Sequence, residues 1–254
     1  MIKNKKRIVE TIKTCLRNKF QNYKPESENM PFHYRLLGKD RMALFSFIQS
    51  LNTTFGVSIY EPVAKELAQP NFSFVETQYK LSNKITEEAQ KEIQRIINDL
   101  SMGKNVNKLE EIERIRKVSK IGKINYLKST NVDLFLIGKD KKVYMFDLKT
   151  VKPNIKEFES YKRTLLEWTA SYFYQHPKSE VFTMIAIPYN PYEPKPYARW
   201  TMKGMLDLKY EVKVAEEFWD FLSGKNTYQD LLDCFEKAGI ELRDEIDKYF
   251  AKFR

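Results

Sequence analysis

The sequence predicts an α/β fold: one domain in which a compact mixed β-sheet is flanked by helices. Three observations carry this. Asn131-Val132-Asp133-Leu134-Phe135-Leu136 and Tyr144-Met145-Phe146-Asp147-Leu148-Lys149 are short apolar runs around a Gly138-Lys139-Asp140-Lys141 turn, which reads as a hairpin. Val181 to Ile187 is apolar on both sides of its alternation, as in a central strand covered on both faces. Around these strands lie segments with apolar residues at helical spacing, giving the order α, α, α, ββ, α, β, α, α.

Ile8, Ile12, Leu16 and Phe20 make residues 3–21 an amphipathic helix, ringed by Lys3, Lys5, Lys6, Arg7, Lys13, Arg17 and Lys19. It reads first as a wall of the fold, compatibly as a contact to a DNA backbone, and last as a membrane-surface helix. Pro25, Pro31 and Gly38 mark residues 23–38 as a connection. Asp40 is positioned to cap a helix through Met42, Leu44, Phe45, Phe47, Ile48 and Leu51, ended by Gly56. Ser58 begins a further turn through Ile59, Glu61, Val63 and Leu67, and Phe72 to Val75 is ambiguous. Thr86 opens a helix with Ala89, Ile93, Ile96, Ile97 and Leu100 on one face. The charge-rich stretch Met102 to Lys128 reads as a solvated face, or as a helix-loop near a phosphate backbone.

After the hairpin, Pro153-Asn154 closes the second strand and Ile155 to Gln175 forms a helix carrying Phe158, Leu165, Leu166, Trp168, Ala170 and Phe173. This helix is expected to be a right-handed crossover to the third strand. Pro188 to Trp200 is a long Pro/Tyr-rich loop, and helices follow near Val212 to Leu222 and Thr227 to Phe250. The chain is thus read as one domain over 1–254, with 1–130 mainly helical, 131–200 the sheet core and 201–254 the C-terminal helices.

Composition narrows the function. Apolar residues make up 42% of 254 positions, enough for a real core, and 17 Phe with 15 Tyr make it aromatic. Lys and Arg outnumber Asp and Glu by 44 to 34, a net charge of +10 that favours a polyanionic partner. Cys15, Cys234, His33 and His176 are isolated, which argues against a disulfide scaffold, a zinc site or a histidine-based nuclease. No apolar run approaches a membrane span, and the basic N-terminus lacks the apolar stretch of a signal peptide. A cytoplasmic protein is expected.

The hairpin carries three charges where apolar residues belong. Strand residues two apart share a face, so Asp147 and Lys149 project together, and pairing brings Asp133 beside them. Two carboxylates and an amine converging at a sheet edge suit a hard divalent cation and attack on a phosphodiester. Mg²⁺ would be held by Asp133, Asp147 and the Leu148 carbonyl, with Lys149 beside the attacking water. The plainer alternative is a surface hairpin with a local salt bridge.

Val132-Asp133 followed by Asp147-Leu148-Lys149 resembles the Asp…(Asp/Glu)-x-Lys signature of the PD-(D/E)XK nuclease superfamily, with Val132 in place of the usual proline. The continuation Phe146-Asp147-Leu148-Lys149-Thr150 into Lys152-Pro153-Asn154 and Tyr161-Lys162-Arg163-Thr164-Leu165-Leu166-Glu167-Trp168 is similar to type II restriction endonucleases. So is Phe55-Gly56-Val57-Ser58-Ile59-Tyr60-Glu61-Pro62. Together these motifs span about half the chain, and they resemble most a group cutting interrupted GG/CC palindromes (GGNCC-like).

The resemblance implies a restriction-endonuclease-like domain and Mg²⁺-dependent, site-specific cleavage of double-stranded DNA. It also implies a homodimer and a cognate DNA methyltransferase in the same system. It assigns Asp133, Asp147 and Lys149 as catalytic and adds Glu61 as a ligand or water-orienting group. Glu61 also suits an ordinary helix start, and Glu66, Glu87 and Glu88 compete for the role. For DNA contacts, Asn190, Glu193, Lys195 and Arg199 on the stiff loop offer base-reading donors and acceptors. Lys152, Asn154 and Arg163 would hold flanking phosphates. The alternatives are a repair or structure-selective nuclease of the same fold, or a non-catalytic DNA-binding protein on that scaffold. No Gly-x-x-x-x-Gly-Lys-Ser/Thr loop suggests a motor.

Overall fold

A computed structural model describes the chain except residues 1, 3, 25–28, 129–130, 150–156, 198–201, 203, 225 and 253–254. Its first half runs α1 (Lys5–Asn22), α2 (Pro31–Leu37), α3 (Lys39–Phe55), α4 (Glu61–Ala68), β1 (Phe74–Lys80), β2 (Lys84–Thr86), α5 (Glu87–Ser101) and α6 (Lys108–Val118). Then come β3 (Ile124–Tyr126), β4 (Asn131–Ile137), β5 (Val143–Leu148), α7 (Phe158–Gln175), β6 (Val181–Ile187), β7 (Val212–Val214), α8 (Glu216–Ser223), α9 (Tyr228–Glu241) and α10 (Arg243–Ala251).

Strands β4 and β5 form the expected antiparallel hairpin, with Leu134 opposite Phe146 and Ile137 opposite Val143. Parallel pairing of β6 with β5 makes β6 central, as its two-sided apolar pattern requires. The sheet order is β1-β4-β5-β6-β7, antiparallel on one side and parallel on the other, and β2-β3 make a separate ribbon. Two of its strands, β1 and β7, come from outside residues 131–200.

Alternation along the strands feeds two apolar layers. Phe135, Met145 and Ile185 pack with Ile93 and Ile97 of α5, Ile115 of α6 and Leu165 of α7. Leu134, Phe146 and Met184 pack with Ile8 of α1, Val63 of α4, Trp219 of α8 and Cys234 of α9. Both faces of the sheet are therefore covered, the arrangement an α/β domain needs to bury a mixed sheet.

Helix α1 is a wall of the fold. Ile8, Val9 and Ile12 are buried, and several of its basic residues are engaged by acids of the same molecule. Lys13 pairs with Glu241 at 2.7 Å, Arg17 with Glu245 at 2.6 Å and Arg7 with Glu66 at 3.0 Å. Thr86 caps α5 as expected, its hydroxyl accepting the Ala89 N–H at 3.2 Å, an interaction worth about 1 kcal/mol.

The structure differs from the sequence reading in seven places. Residues 31–37 form a helix because Pro31 stands in its first turn, where a missing N–H costs nothing. Gly38, with φ of 87°, precedes α3, and Asp40 lies inside its first turn rather than at the cap. Gly56 does not end α3: its φ of −53° is right-handed, and Gly56–Tyr60 continue as a π-helical turn into α4. Pro62 cannot donate to the carbonyl four residues back, so the helical ladder is interrupted there in any case.

The ambiguous Phe72 to Val75 stretch leads into β1, whose polar positions masked its alternation. Val212–Val214 is an edge strand rather than the start of a helix, and Leu242 divides the last predicted helix into α9 and α10. Finally, the charge-rich segment is not all solvated face. Lys108 and Glu111 of α6 are buried, and Glu211 accepts from Lys108 at 2.7 Å and Lys162 at 2.6 Å. Mutual charge neutralisation makes that burial tolerable.

Candidate active site

The register that pairs Leu134 with Phe146 carries Asp133 opposite Asp147 at the next position. Asp133 Oδ2 accepts the Leu148 backbone N–H at 2.8 Å, which aims the carboxylate at the end of β5. Lys149 follows directly, its backbone N–H bonded to the Ala186 carbonyl at 2.9 Å and its ammonium 2.8 Å from Asp147 Oδ1. Asp133, Asp147 and Lys149 thus converge as the two-residue periodicity requires.

Tyr161, in the first turn of α7, lies under the lysine: Lys149 Nζ is 4.5 Å from its ring centroid. The Tyr161 hydroxyl donates to Glu157, and burial raises its pKa above the usual phenol value.

Burial and the Asp147 charge push the Asp133 carboxyl up to about 6, against the opposing pull of the Leu148 N–H and the Lys149 charge. The two aspartates therefore repel across a partly desolvated space.

Glu61 enters from the first residue of α4, just past the π turn, and is only 2% exposed. Of the four glutamates considered for the site, it is the one brought there. Glu66 pairs with Arg7 on α1, and Glu87 and Glu88 pair with Lys91 on the surface of α5. Burial pushes Glu61 up to about 7; a hydrogen bond from Gln78 opposes the rise and the Asp133 charge adds to it.

Gln78 is the residue that sequence reasoning missed. On β1, Thr77 pairs with Leu134 and Tyr79 with Val132, so Gln78 faces Asp133 across the strands. Its amide nitrogen donates to both Glu61 oxygens, at 2.8 and 2.9 Å, and lies 3.3 Å from Asp133 Oδ1. A signal was present: polar side chains at alternate positions Glu76, Gln78 and Lys80, beside an apolar strand. Without the pairing register it could not be tied to Asp133.

The donor set suits a hard divalent cation. Among the described residues no three Asp, Glu, His or Cys side chains form a ready-made cage. Two facing aspartates and a third carboxylate reached through an amide leave negative charge that one ammonium only partly offsets. A magnesium-like ion that keeps several waters needs only one or two such carboxylates. Asp133, Asp147 and the Leu148 carbonyl could hold it, with Glu61 behind.

The expected DNA contacts divide. Lys152, Asn154 and Arg199 lie outside the described residues. Arg163, on the same helix as Tyr161, donates to Gln94 of α5 at 2.9 Å. The side chain of Asn190 is engaged within its own loop, accepting the Tyr192 N–H at 3.0 Å and donating to the Lys195 carbonyl at 2.7 Å. It therefore shapes the loop and presents Lys195, which is exposed. Lys195 borders a cavity of about 680 Å³ shared with Glu193, Glu216 and Tyr228. The loop leaves the same end of the sheet as Lys149, because β5 and β6 run parallel.

No helix among the described residues is long and apolar enough to cross a membrane.

Comparison with known proteins identifies the family. Residues 1–239 match the family described as type II restriction endonuclease, HinfI. The chain is 31% identical to the type II restriction enzyme MjaII of Methanocaldococcus jannaschii, over 94% of this chain and 71% of that protein. It is 23% identical to the type II restriction enzyme HgiCII of Herpetosiphon aurantiacus, over 86% and 80% of the two chains. For HgiEI of the same organism the identity is 24%, over 85% and 79%.

Proposed function

Since the chain belongs to the HinfI family of type II restriction endonucleases, and so is a site-specific deoxyribonuclease, we propose that Asp133, Asp147 and Lys149 are the groups with which it cuts. The convergence of these three residues at the end of β5 carries the proposal. Asp133, Asp147 and the Leu148 carbonyl are the ligands of Mg²⁺, with Glu61 as a further ligand or water-orienting group. The ion, when bound, neutralises charge on the scissile phosphate and lowers the pKa of a coordinated water.

The remaining work falls to the chain itself. Asp133 is oriented before DNA arrives, because its second oxygen is tied to the Leu148 N–H. Lys149 holds a positive charge beside the phosphate through its contacts with Asp147 and the Tyr161 ring. An ammonium has three N–H groups, so donors remain for the attacking water or a phosphoryl oxygen. Its charge stabilises hydroxide and the negative charge that builds up in the transition state.

The whole chain, 1–254, acts as one nuclease domain on double-stranded DNA at a short palindrome containing GG/CC. Lys195 and Arg199 are the candidate base readers, Asn190 stiffens their loop, and Lys152, Asn154 and Arg163 hold the flanking phosphates. A homodimer matches the symmetry of such a target. A cognate methyltransferase protects the host copy of the site, and the protein works in the cytoplasm, where few and unpaired cysteines are at home.

The test is digestion of unmethylated phage DNA with and without Mg²⁺. Discrete Mg²⁺-dependent fragments whose ends map to one GG/CC palindrome are expected. A smear, or ends at an unrelated sequence, would refute the specificity proposed.

A further inference from the structure

We propose that Gln78 is a positioning residue whose carboxamide stands in for a cation between Glu61 and Asp133 and gives way when a divalent ion binds. The inference rests on the metal site described above. Three features support it.

The amide nitrogen carries two hydrogens but faces three carboxylate oxygens, at 2.8, 2.9 and 3.3 Å. Near-equal distances to both Glu61 oxygens place it on the bisector of that carboxylate, where a bidentate cation sits, and not on one lone pair. Ionised carboxylates only accept, so nitrogen faces them when they carry charge, and Asn131 Nδ2 donates to the Gln78 oxygen at 3.3 Å.

The backbone is also adapted to this reach. Gln78 has φ of 51°, a left-handed conformation uncommon for a side chain of this kind and more uncommon inside a strand. Thr77 and Tyr79 keep their partners on β4, whereas Gln78 and Asp133 drop out of the ladder and meet through side chains. Unlike Glu61, Gln78 is exposed at the mouth of the site, so it can swing aside without opening the core.

Lys149 already covers Asp147. Gln78 therefore quiets the remaining pair of carboxylates without adding charge, and leaves the site's demand for a divalent ion intact. A lysine there would satisfy that demand permanently.

The experiment is titration of the full chain with Mn²⁺ by calorimetry, with melting curves in chelator and in Mn²⁺. The proteins are wild type, Gln78→Ala, Gln78→Asn and Asp133→Ala. Asparagine tolerates the left-handed backbone but is too short to span both carboxylates. Both Gln78 variants are expected to melt lower in chelator, to bind Mn²⁺ roughly tenfold more tightly, and to gain more Tm from it. Asp133→Ala should lose the binding. If wild type binds Mn²⁺ and neither variant binds it more tightly, the stand-in role is wrong while the metal site survives. If wild type takes up no Mn²⁺, the metal site itself fails and this inference falls with it.

Discussion

The carboxylate of Asp133 accepts the backbone N–H of Leu148 at 2.8 Å, so a single hydrogen bond across the hairpin fixes the first acid against the strand that carries the second. Asp133→Asn keeps an oxygen for that bond but removes the charge. It should fold normally, lose Mn²⁺ binding in a calorimetric titration, and cut DNA at least about 10²-fold more slowly. Retained ion affinity would place the ligands elsewhere.

Glu61 links pH to stability. Its folded pKa, about 7, lies above the ordinary value of 4.5, so the folded protein prefers the protonated acid. That contribution is complete below about pH 4.5 and is lost as pH rises through 7. Glu61→Gln imitates the neutral acid. In chelator it should therefore raise Tm relative to wild type at pH 8, with the advantage shrinking toward pH 5. A Tm difference independent of pH would contradict the assignment.

Tyr161 offers its ring to Lys149, 4.5 Å from Nζ. A partly exposed contact of this kind is worth about 0.5–2 kcal/mol, so Tyr161→Leu should lower kcat by roughly 2- to 30-fold with little change in KM. Tyr161→Phe keeps the ring and should cut nearly as fast as wild type. Equal losses in the two variants would assign the role to the hydroxyl and its bond to Glu157.

Lys162 pairs at 2.6 Å with Glu211, and both are fully buried. Removing the lysine leaves Glu211 to Lys108 alone and strips buried Glu111 of the ammonium 2.5 Å from its carboxylate. Lys162→Met should cost about 3–5 kcal/mol and lower Tm by roughly 10 °C in a calorimetric scan. A drop of only a degree or two would mean that the cluster relaxes or takes up water.

How far the sequence reached depends on where each signal is stored. The hairpin, the central strand and the convergence of Asp133, Asp147 and Lys149 follow from two-residue alternation, which is local and legible. The same holds for Thr86 and the face Ile93–Ile97. Gln78 was hidden because its partner lies 55 positions away and only strand register connects them. Lys108 and Glu111 read as part of a solvated face because nothing local reveals Glu211 and Lys162, which neutralise them from far along the chain. Gly56 misled for a related reason: a glycine ends a helix only when it turns left-handed, and its sequence does not say which way it turns. In the run Leu165-Leu166-Glu167-Trp168, the two leucines and the tryptophan are buried in the core. Tyr161, just upstream, is the residue of that stretch that reaches the site.

The role of Lys149 is tested by comparing wild type with Lys149→Met on one duplex containing the mapped target, scoring binding in Ca²⁺ and cleavage in Mg²⁺. If Lys149 works on the phosphate from its place beside Asp147, the variant binds within a few-fold of wild type and leaves the duplex uncut. Cleavage at a rate near wild type would show that the cutting site lies elsewhere.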